Sequence, residues 1–166
     1  MTTHPIFLTA ALLALAASGC TQSGDYGAAD SSASASQDVV ETVYAGFAAG
    51  DIALATSVMA ADIDWREAQG NPYADKNPYI GPDAVVSGLF ARLGGEWDGF
   101  TAAPDEFVSE DGRVVVFGRY SGTYVATGKT LDAPFAHSWT VKDGKIVAFQ
   151  QYTDTAGQLA AMTAGD

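Results

Sequence analysis

The feature that most constrains the fold is a change in hydrophobic periodicity near Gly95. Before this point, apolar residues recur every three or four positions, the spacing of one helical face, in residues 37–49, 52–59 and 82–93. After it, apolar and polar residues alternate, which places apolar side chains on one face of a β-strand. The chain therefore begins with helices and ends with strands. This order favours an α+β fold with helices packed on one face of a sheet.

The second half of the chain predicts an antiparallel meander. Asp111-Gly112 and Asp143-Gly144 each separate two alternating segments, and Asp-Gly is a strong signal for a two-residue hairpin turn. An earlier alternating run, residues 63–67, follows the second helix and predicts one more strand. The four segments of the meander are residues 100–108, 114–125, 131–141 and 146–153.

The first twenty residues are typical of an export signal. An apolar run over residues 6–17 is too short to span a bilayer as a stable helix. It ends in Ala17-Ser18-Gly19-Cys20, small residues directly before the only cysteine, and this resembles the lipobox of bacterial lipoproteins. We therefore expect export to the bacterial cell envelope and a lipid anchor on Cys20. The alternative is an ordinary secretory signal with an incidental cysteine, which gives a soluble secreted or periplasmic protein.

Composition divides the rest of the chain and limits its partners. Residues 21–36 predict a flexible linker because they are rich in Ser, Ala, Gly and Asp and almost free of large apolar side chains. We expect the folded domain over residues 37–158 and a C-terminal tail over 159–166. The chain has 8 Lys and Arg against 20 Asp and Glu, with no basic cluster. Nucleic acid is therefore not expected as a partner, and we expect membrane contact only through the lipid.

Two of the alternating runs place an ionisable side chain among aromatic ones. Trp65 precedes Glu67 by two positions, and His137 lies two positions from both Phe135 and Trp139. Residues two apart share one face of a strand. A carboxylate and an imidazole are thus expected on mostly apolar strand faces, which indicates a lined pocket.

Four motifs accompany this order of elements: Phe47-Ala-Ala-Gly-Asp51, Tyr79-Ile-Gly-Pro-Asp83, Phe135 to Lys145, and Gln150 to Asp154. Together they resemble the nuclear transport factor 2-like superfamily, specifically its SnoaL-like and ketosteroid-isomerase-like members. The resemblance implies a cone-shaped roll, in which three N-terminal helices pack on a curved antiparallel sheet around a pocket. It also implies homodimers formed through the outer sheet face. Because the superfamily includes isomerases, cyclases, hydrolases, dehydratases and non-catalytic binders, the fold leaves the function open.

The resemblance also assigns roles to single residues. Glu67 takes the position of a proton-shuttling base, and His137 that of a donor that polarises a substrate carbonyl. A second donor, a tyrosine on the first helix, aligns with Val43. Tyr44 is one residue away, a rotation of about 100° on a helix, so it need not reach the same spot. Further pocket residues are expected to be Trp65, Tyr73, Tyr120, Trp139, Gln151 and Asp154.

Two classes of function remain open. A carboxylate in an apolar pocket has a raised pKa and can act as a base near neutral pH, and an imidazole can stabilise a developing enolate. The first class is therefore a cofactor-free enzyme of the isomerase or cyclase type that acts on a small apolar carbonyl compound. The second is a cell-envelope protein that binds a small hydrophobic ligand or a protein partner without turnover. No metal is expected, because His137 is the only histidine outside the signal.

The candidate residues also have purely structural interpretations. Glu67 could face solvent at the end of its strand and pair with Arg66 or Lys76. His137 could be a buried histidine satisfied by a hydrogen bond to a neighbouring strand or to Glu67, and Asp154 could cap a final helical turn. Trp65 and Trp139 could serve packing alone.

Overall fold

A computed structural model describes residues 26–165, with side chains from residue 31 onward. The predicted export signal, the lipidation site Cys20 and residues 21–25 of the predicted linker lie outside this range. No helix within residues 26–165 is both long enough and apolar enough to cross a membrane.

The first helix begins earlier than predicted. Helix α1 spans Tyr26–Ala49, so residues 26–36, predicted as flexible linker, are helical. This segment is rich in alanine and serine. Alanine is the best helix former, so a helix held by its packed C-terminal half can continue through such residues. Helix α2 (Ile52–Ser57) follows, capped as predicted by Asp51, whose carboxylate accepts from Leu54 N at 2.9 Å.

The third predicted helix is a composite of three pieces. It begins with Pro82 at the first helical position, as predicted, and its wider central turn carries the buried Leu89 and Phe90. A 3₁₀ helix and a short strand precede it. In chain order these segments are the 3₁₀ helix Pro72–Lys76, strand β2 (Tyr79–Ile80), helix α3 (Pro82–Val85), a π-helical turn (Val86–Phe90) and helix α4 (Ala91–Glu96).

Six strands form one sheet in the order β2-β1-β6-β5-β4-β3. Strands β3 to β6 make the predicted antiparallel meander, but β1 pairs with β6 in parallel, so the sheet is mixed rather than antiparallel throughout. Alternation within a strand encodes its faces but not the direction of a partner distant in the chain. The other strand bounds are β1 (Met59–Arg66), β3 (Trp97–Glu110), β4 (Arg113–Tyr124), β5 (Thr130–Lys142) and β6 (Lys145–Thr153).

The two predicted hairpin turns are confirmed. Asp111 and Gly112 have φ of 47° and 76°, and Asp143 and Gly144 have φ of 50° and 71°. Positive φ at both central residues is the backbone of a type I′ turn, which matches the twist of the flanking strands.

Burial alternates along β4 and β5, and it defines the concave inner face of the sheet. Pairing between β3 and β4 shifts register near Pro104, an irregularity that bends long strands. The helices pack over this inner face, and helix α5 (Thr155–Met162) returns against the sheet after β6. The α+β arrangement of helices on a curved sheet is thus confirmed.

Candidate functional site

An apolar cavity lies between the inner face of the sheet and the helices. It holds about 50 Å³, room for a few water molecules, whereas ligand pockets usually hold roughly 300–1,000 Å³. All but one of the side chains predicted for the pocket line this cavity: Tyr44, Trp65, Glu67, Tyr73, Tyr120, His137, Trp139 and Gln151.

Glu67 lies directly after β1 and turns its side chain inward, with only 4% of the residue exposed. Asn77 fixes its backbone from both sides, since Oδ1 accepts from Glu67 N at 2.9 Å and Nδ2 donates to Glu67 O at 2.8 Å. Trp65 Nε1 donates to Glu67 Oε1 at 2.8 Å. The alternative of a solvent-facing Glu67 paired with Arg66 is therefore wrong, and Arg66 pairs with Asp64 instead.

Burial raises the pKa of Glu67 to about 7, and the hydrogen bond from Trp65 only partly opposes this rise. A carboxyl group with such a pKa is substantially ionised near neutral pH and remains a useful base. No cation is paired with it among the described residues. No salt bridge in this part of the chain therefore neutralises the charge of Glu67, and the carboxylate can act as a base in the cavity.

Two amide side chains join Glu67 to the rest of the polar cluster. Asn71 Nδ2 donates to Glu67 Oε2 at 3.2 Å and to Gln151 Oε1 at 2.7 Å. Backbone donors fix both orientations, because Tyr73 N donates to Asn71 Oδ1 and Ala68 N donates to Gln151 Oε1. Gln151 must therefore direct its NH₂ group toward the hydroxyl of Tyr120 on β4.

His137 lies between two tyrosine hydroxyls. Its Nδ1 is 2.7 Å from Tyr44 Oη, and its Nε2 is 2.5 Å from Tyr120 Oη. Burial lowers the pKa of His137 to about 3, so the imidazole is neutral at physiological pH. Because both ring nitrogens are occupied, His137 cannot itself donate to a ligand, and its predicted role as the direct donor is wrong for this geometry. The tyrosines it holds are the groups that can.

Counting protons shows what this cluster offers a ligand. Gln151 Nε2 donates to Tyr120 Oη at 2.9 Å, and Trp139 Nε1 donates to Tyr44 Oη at 3.3 Å, so each hydroxyl oxygen already accepts from outside. The two tyrosines and the neutral imidazole carry three protons, and their two mutual contacts use only two. One tyrosine O–H is therefore left over. Within residues 31–165 neither hydroxyl has another acceptor, so this proton is available to a molecule in the cavity.

Tyr44 thus reaches the site, although the alignment put Val43 in the tyrosine position. Both residues face the cavity. The side chain of Tyr44 is long enough to bring its hydroxyl to the ring of His137 on β5. Burial raises the pKa of Tyr44 and that of Tyr120, so both are protonated donors across the physiological range.

Aromatic rings form the walls around these polar groups. The Trp65 ring is 3.9 Å from that of Phe149 and 5.5 Å from that of Trp139, measured between centroids. Tyr73 closes another part of the wall, where its hydroxyl donates to Glu96 Oε2 at 2.8 Å and accepts from Trp97 Nε1 at 2.7 Å. These walls contribute to the burial of Glu67, and burial raises its pKa.

The family model of the SnoaL-like domain matches residues 40–149, which include Glu67, His137 and both tyrosines. The chain belongs to the SnoaL-like family. Among solved structures, this SnoaL-like domain is similar to an NTF2-like protein from Burkholderia thailandensis, with a TM-score of 0.73 and 40% identity over 78% of this chain and 97% of that one. It is also similar to TerC, co-crystallised with polyporic acid, with a TM-score of 0.70 and 29% identity over 77% and 98% of the two chains.

A curated relative of the SnoaL-like domain is the patulin biosynthesis cluster protein F of Penicillium expansum. The two are 32% identical over 85 residues, which is 51% of this chain and 42% of that protein. The alignment therefore spans less than half of the relative's length.

One predicted pocket residue of the SnoaL-like domain lies away from the site. Asp154 is exposed, lies outside the cavity and caps α5, where its carboxylate accepts from Gly157 N at 2.9 Å. Its prediction as a pocket residue is wrong, because the chain turns from strand to helix at this point. Among residues 26–165 no three His, Cys, Asp or Glu side chains come together as a metal site.

Sequence reasoning missed Asn71 and Gln158, which complete the polar part of the site. Asn71 precedes Pro72 and caps the 3₁₀ helix, a pattern visible in the sequence, but its contact with Glu67 depends on how that loop folds back. Gln158 lies on α5 and lines the cavity. No sequence signal distinguishes it from a surface glutamine.

Proposed function

We propose that this SnoaL-like domain catalyses proton transfer at a carbon atom next to the carbonyl group of a small apolar compound. Glu67 is the base, and the surplus tyrosine hydroxyl, on Tyr44 or Tyr120, donates to the carbonyl oxygen. One observation carries the proposal: two groups lie around the same apolar cavity, a carboxylate that has a pKa of about 7 and no cationic partner, and a tyrosine hydroxyl that has no acceptor, in both cases within residues 31–165.

The reaction needs no electron acceptor and no cofactor. Glu67 removes a proton from the carbon, and the C–H electron pair moves into the C–C bond while the carbonyl π pair moves onto oxygen. The tyrosine O–H stabilises the enolate oxygen, a contribution that is usually worth about 10²–10³ in rate. Glu67 then returns its proton to the same carbon or to a conjugated one. His137 is a positioning residue, because it holds both hydroxyls and touches no reacting atom.

A ligand larger than a few waters requires the cavity to open. A groove of about 690 Å³ between α1 and β3 shares Tyr44, Phe47, Phe100 and Ala102 with the cavity. Separation of α1 from β3 would join the two spaces and admit a ring compound beside Tyr44. TerC, a relative of this fold, was co-crystallised with polyporic acid, which supports a small organic ligand.

Acetophenone provides a direct test, because its methyl protons lie next to a carbonyl. In heavy water the protein should accelerate the exchange of these protons for deuterium, followed by NMR. Glu67→Gln should reduce the enzymatic rate by about 10²-fold or more, while the exposed Glu106→Gln control should leave it unchanged. Equal rates for wild type and Glu67→Gln would overturn the proposal.

The small cavity favours a second candidate function, binding without turnover. Nearly all polar groups around the cavity are already paired with each other, as in a site that only encloses its ligand. Saturable binding of acetophenone with no accelerated exchange would establish this candidate in place of the first.

We further propose that the domain works at the cell envelope, held by a lipid on Cys20. The support is the sequence Ala17-Ser18-Gly19-Cys20 alone. Metabolic labelling with a radioactive fatty acid should mark the full-length protein, and Cys20→Ser should lose the label. A labelled Cys20→Ser protein would exclude this anchor.

A further inference from the structure

Gln158 lines the cavity and carries an unpaired polar atom. It lies on α5, is 2% exposed and is one of the residues that line the cavity. Its Oε1 has no hydrogen-bond partner, and it is the only buried side-chain nitrogen or oxygen within residues 31–165 in this condition. Buried amide oxygens nearly always accept a hydrogen bond. A molecule in the cavity that Gln158 lines could supply the missing donor.

The position of Gln158 is set by specific contacts. Asp154 caps the beginning of α5, and its end is held where Thr127 Oγ1 donates to Ala161 O at 2.6 Å. Lys129 Nζ donates to Thr163 O at 2.7 Å, which places a cation at the end of the helix. Because both ends of α5 are fixed, the inward direction of Gln158 is a built feature of the fold.

The other polar groups around the cavity contrast with Gln158. Glu67 accepts from Trp65 and Asn71, and His137 is held by a tyrosine hydroxyl on each ring nitrogen. Together these groups offer a ligand one base, Glu67, and one tyrosine O–H donor. Gln158 adds an acceptor that the proposed proton transfer does not use. It also lies beyond residues 40–149, the part of the chain that the family model matches.

We propose that Gln158 determines specificity by accepting a hydrogen bond from a hydroxyl group of the ligand. The substrate class is then an apolar ring compound that carries a carbonyl group for the tyrosine donor and, apart from it, a hydroxyl group for Gln158 Oε1. This proposal rests on the proposed function, because it assumes that the carbonyl lies between Glu67 and the tyrosines.

Two matched probes test the acceptor. para-Hydroxyacetophenone carries the required hydroxyl, and para-methoxyacetophenone replaces its proton with a methyl group. Titrations followed by NMR should give the full-length wild type a Kd about tenfold lower for the hydroxyl compound, the size expected for one buried hydrogen bond. Gln158→Leu should abolish this preference by weakening the hydroxyl compound. Gln158→Glu keeps an acceptor and should retain the preference.

Several results would overturn the proposal. Equal affinities of wild type for the two probes would mean that Oε1 binds a buried water only. A preference that survives in Gln158→Leu would mean that Gln158 is not its source. A hydroxyl compound that does not bind saturably would overturn it as well. If Gln158→Leu does not fold, as judged by circular dichroism, Gln158→Met replaces it because its side chain is nearly the same length.

The test separates this proposal from the proposed function. The preference is a ratio of binding constants and should persist in Glu67→Gln, whereas acetophenone exchange depends on Glu67 and involves no ligand hydroxyl. Exchange that is lost in Glu67→Gln together with equal probe affinities would leave the proton transfer standing and remove Gln158 from the specificity of the site.

Discussion

Tyr44 on α1 and His137 on β5, 93 positions apart in the chain, are joined by a hydrogen bond of 2.7 Å between Oη and Nδ1. This contact ties the first helix to the sheet at the centre of the cavity. Because Tyr120 occupies the other ring nitrogen, His137 positions two hydroxyl donors and has no free N–H of its own. The chemistry of the site therefore depends on which tyrosine keeps its proton free.

The tautomer of His137 should identify the donating tyrosine. If Nδ1 carries the proton, it donates to Tyr44, Tyr120 donates to Nε2, and the free O–H is on Tyr44; the opposite tautomer frees Tyr120. Replacing the free tyrosine with Phe should lower kcat/KM for exchange by about 10²–10³-fold, and replacing the other should cost less. Nitrogen-15 NMR of the His137 ring gives the tautomer. A tautomer that points to the less damaging substitution would contradict the proton count.

The pH dependence of exchange should follow Glu67. Because this base must be ionised, and burial raises its pKa to about 7, kcat/KM should rise with pH and level off above about pH 7. The pKa of His137, lowered by burial to about 3, should add no step near pH 6.5. A midpoint near the ordinary carboxyl value of 4.5 would show that Glu67 acts from a hydrated position.

Stability should depend on pH through the same carboxyl group. The folded-state pKa of Glu67, about 7, lies above the unfolded value of 4.5. The contribution of Glu67 to the free energy of unfolding is thus fully present below pH 4.5 and is lost as the pH rises through 7. Glu67→Gln cannot ionise, so its free energy of unfolding relative to wild type should increase by about 1–3 kcal/mol between about pH 5 and pH 8.

Urea unfolding at each pH gives this difference. The comparison uses its change with pH, because Gln also disturbs the contact with Asn71 at every pH. Glu106→Gln, at an exposed position, is the control and should show no such trend. A difference between Glu67→Gln and wild type that does not vary with pH would contradict a raised pKa of Glu67.

Gly118→Ala should disturb His137 through the ring of Phe135. A Cβ at this inward position of β4 would overlap the Ala103 carbonyl oxygen and the Phe135 ring. The Phe135 ring stacks on that of His137 with 3.9 Å between centroids. We expect a loss of about 1–3 kcal/mol in the free energy of unfolding, together with slower exchange. Urea unfolding and the acetophenone assay measure the two effects.

Gly94→Ala is the matched control for this substitution. A Cβ at Gly94, in helix α4, meets no atom within 4 Å. Alanine there should be neutral or stabilising by up to about 1 kcal/mol, because glycine is a poor helix former. Equal effects of the two substitutions would mean that the space beside Phe135 adjusts freely.

Much of the fold could be predicted because its signals are local. The change of period near Gly95 separates helices from strands, and the two Asp-Gly pairs set the hairpin turns. The start of α1 was missed because an Ala- and Ser-rich segment shows no apolar stripe in the sequence, yet it extends a helix that is packed elsewhere. The parallel pairing of β1 with β6 was missed because the two strands are far apart in the chain.

By itself, the sequence determined which side chains of a strand share a face. The two-residue period of a strand puts Trp65 beside Glu67 and Phe135 beside His137 whatever the partner strands are. Tertiary structure alone decided which atoms meet. Tyr44 arrives from a helix, Asn71 from a loop and Gln158 from the last helix, and each distance depends on packing between segments far apart in the chain. Periodicity fixes the direction of a side chain, whereas hydrogen bonds and pKa values depend on neighbours that only the folded chain brings together.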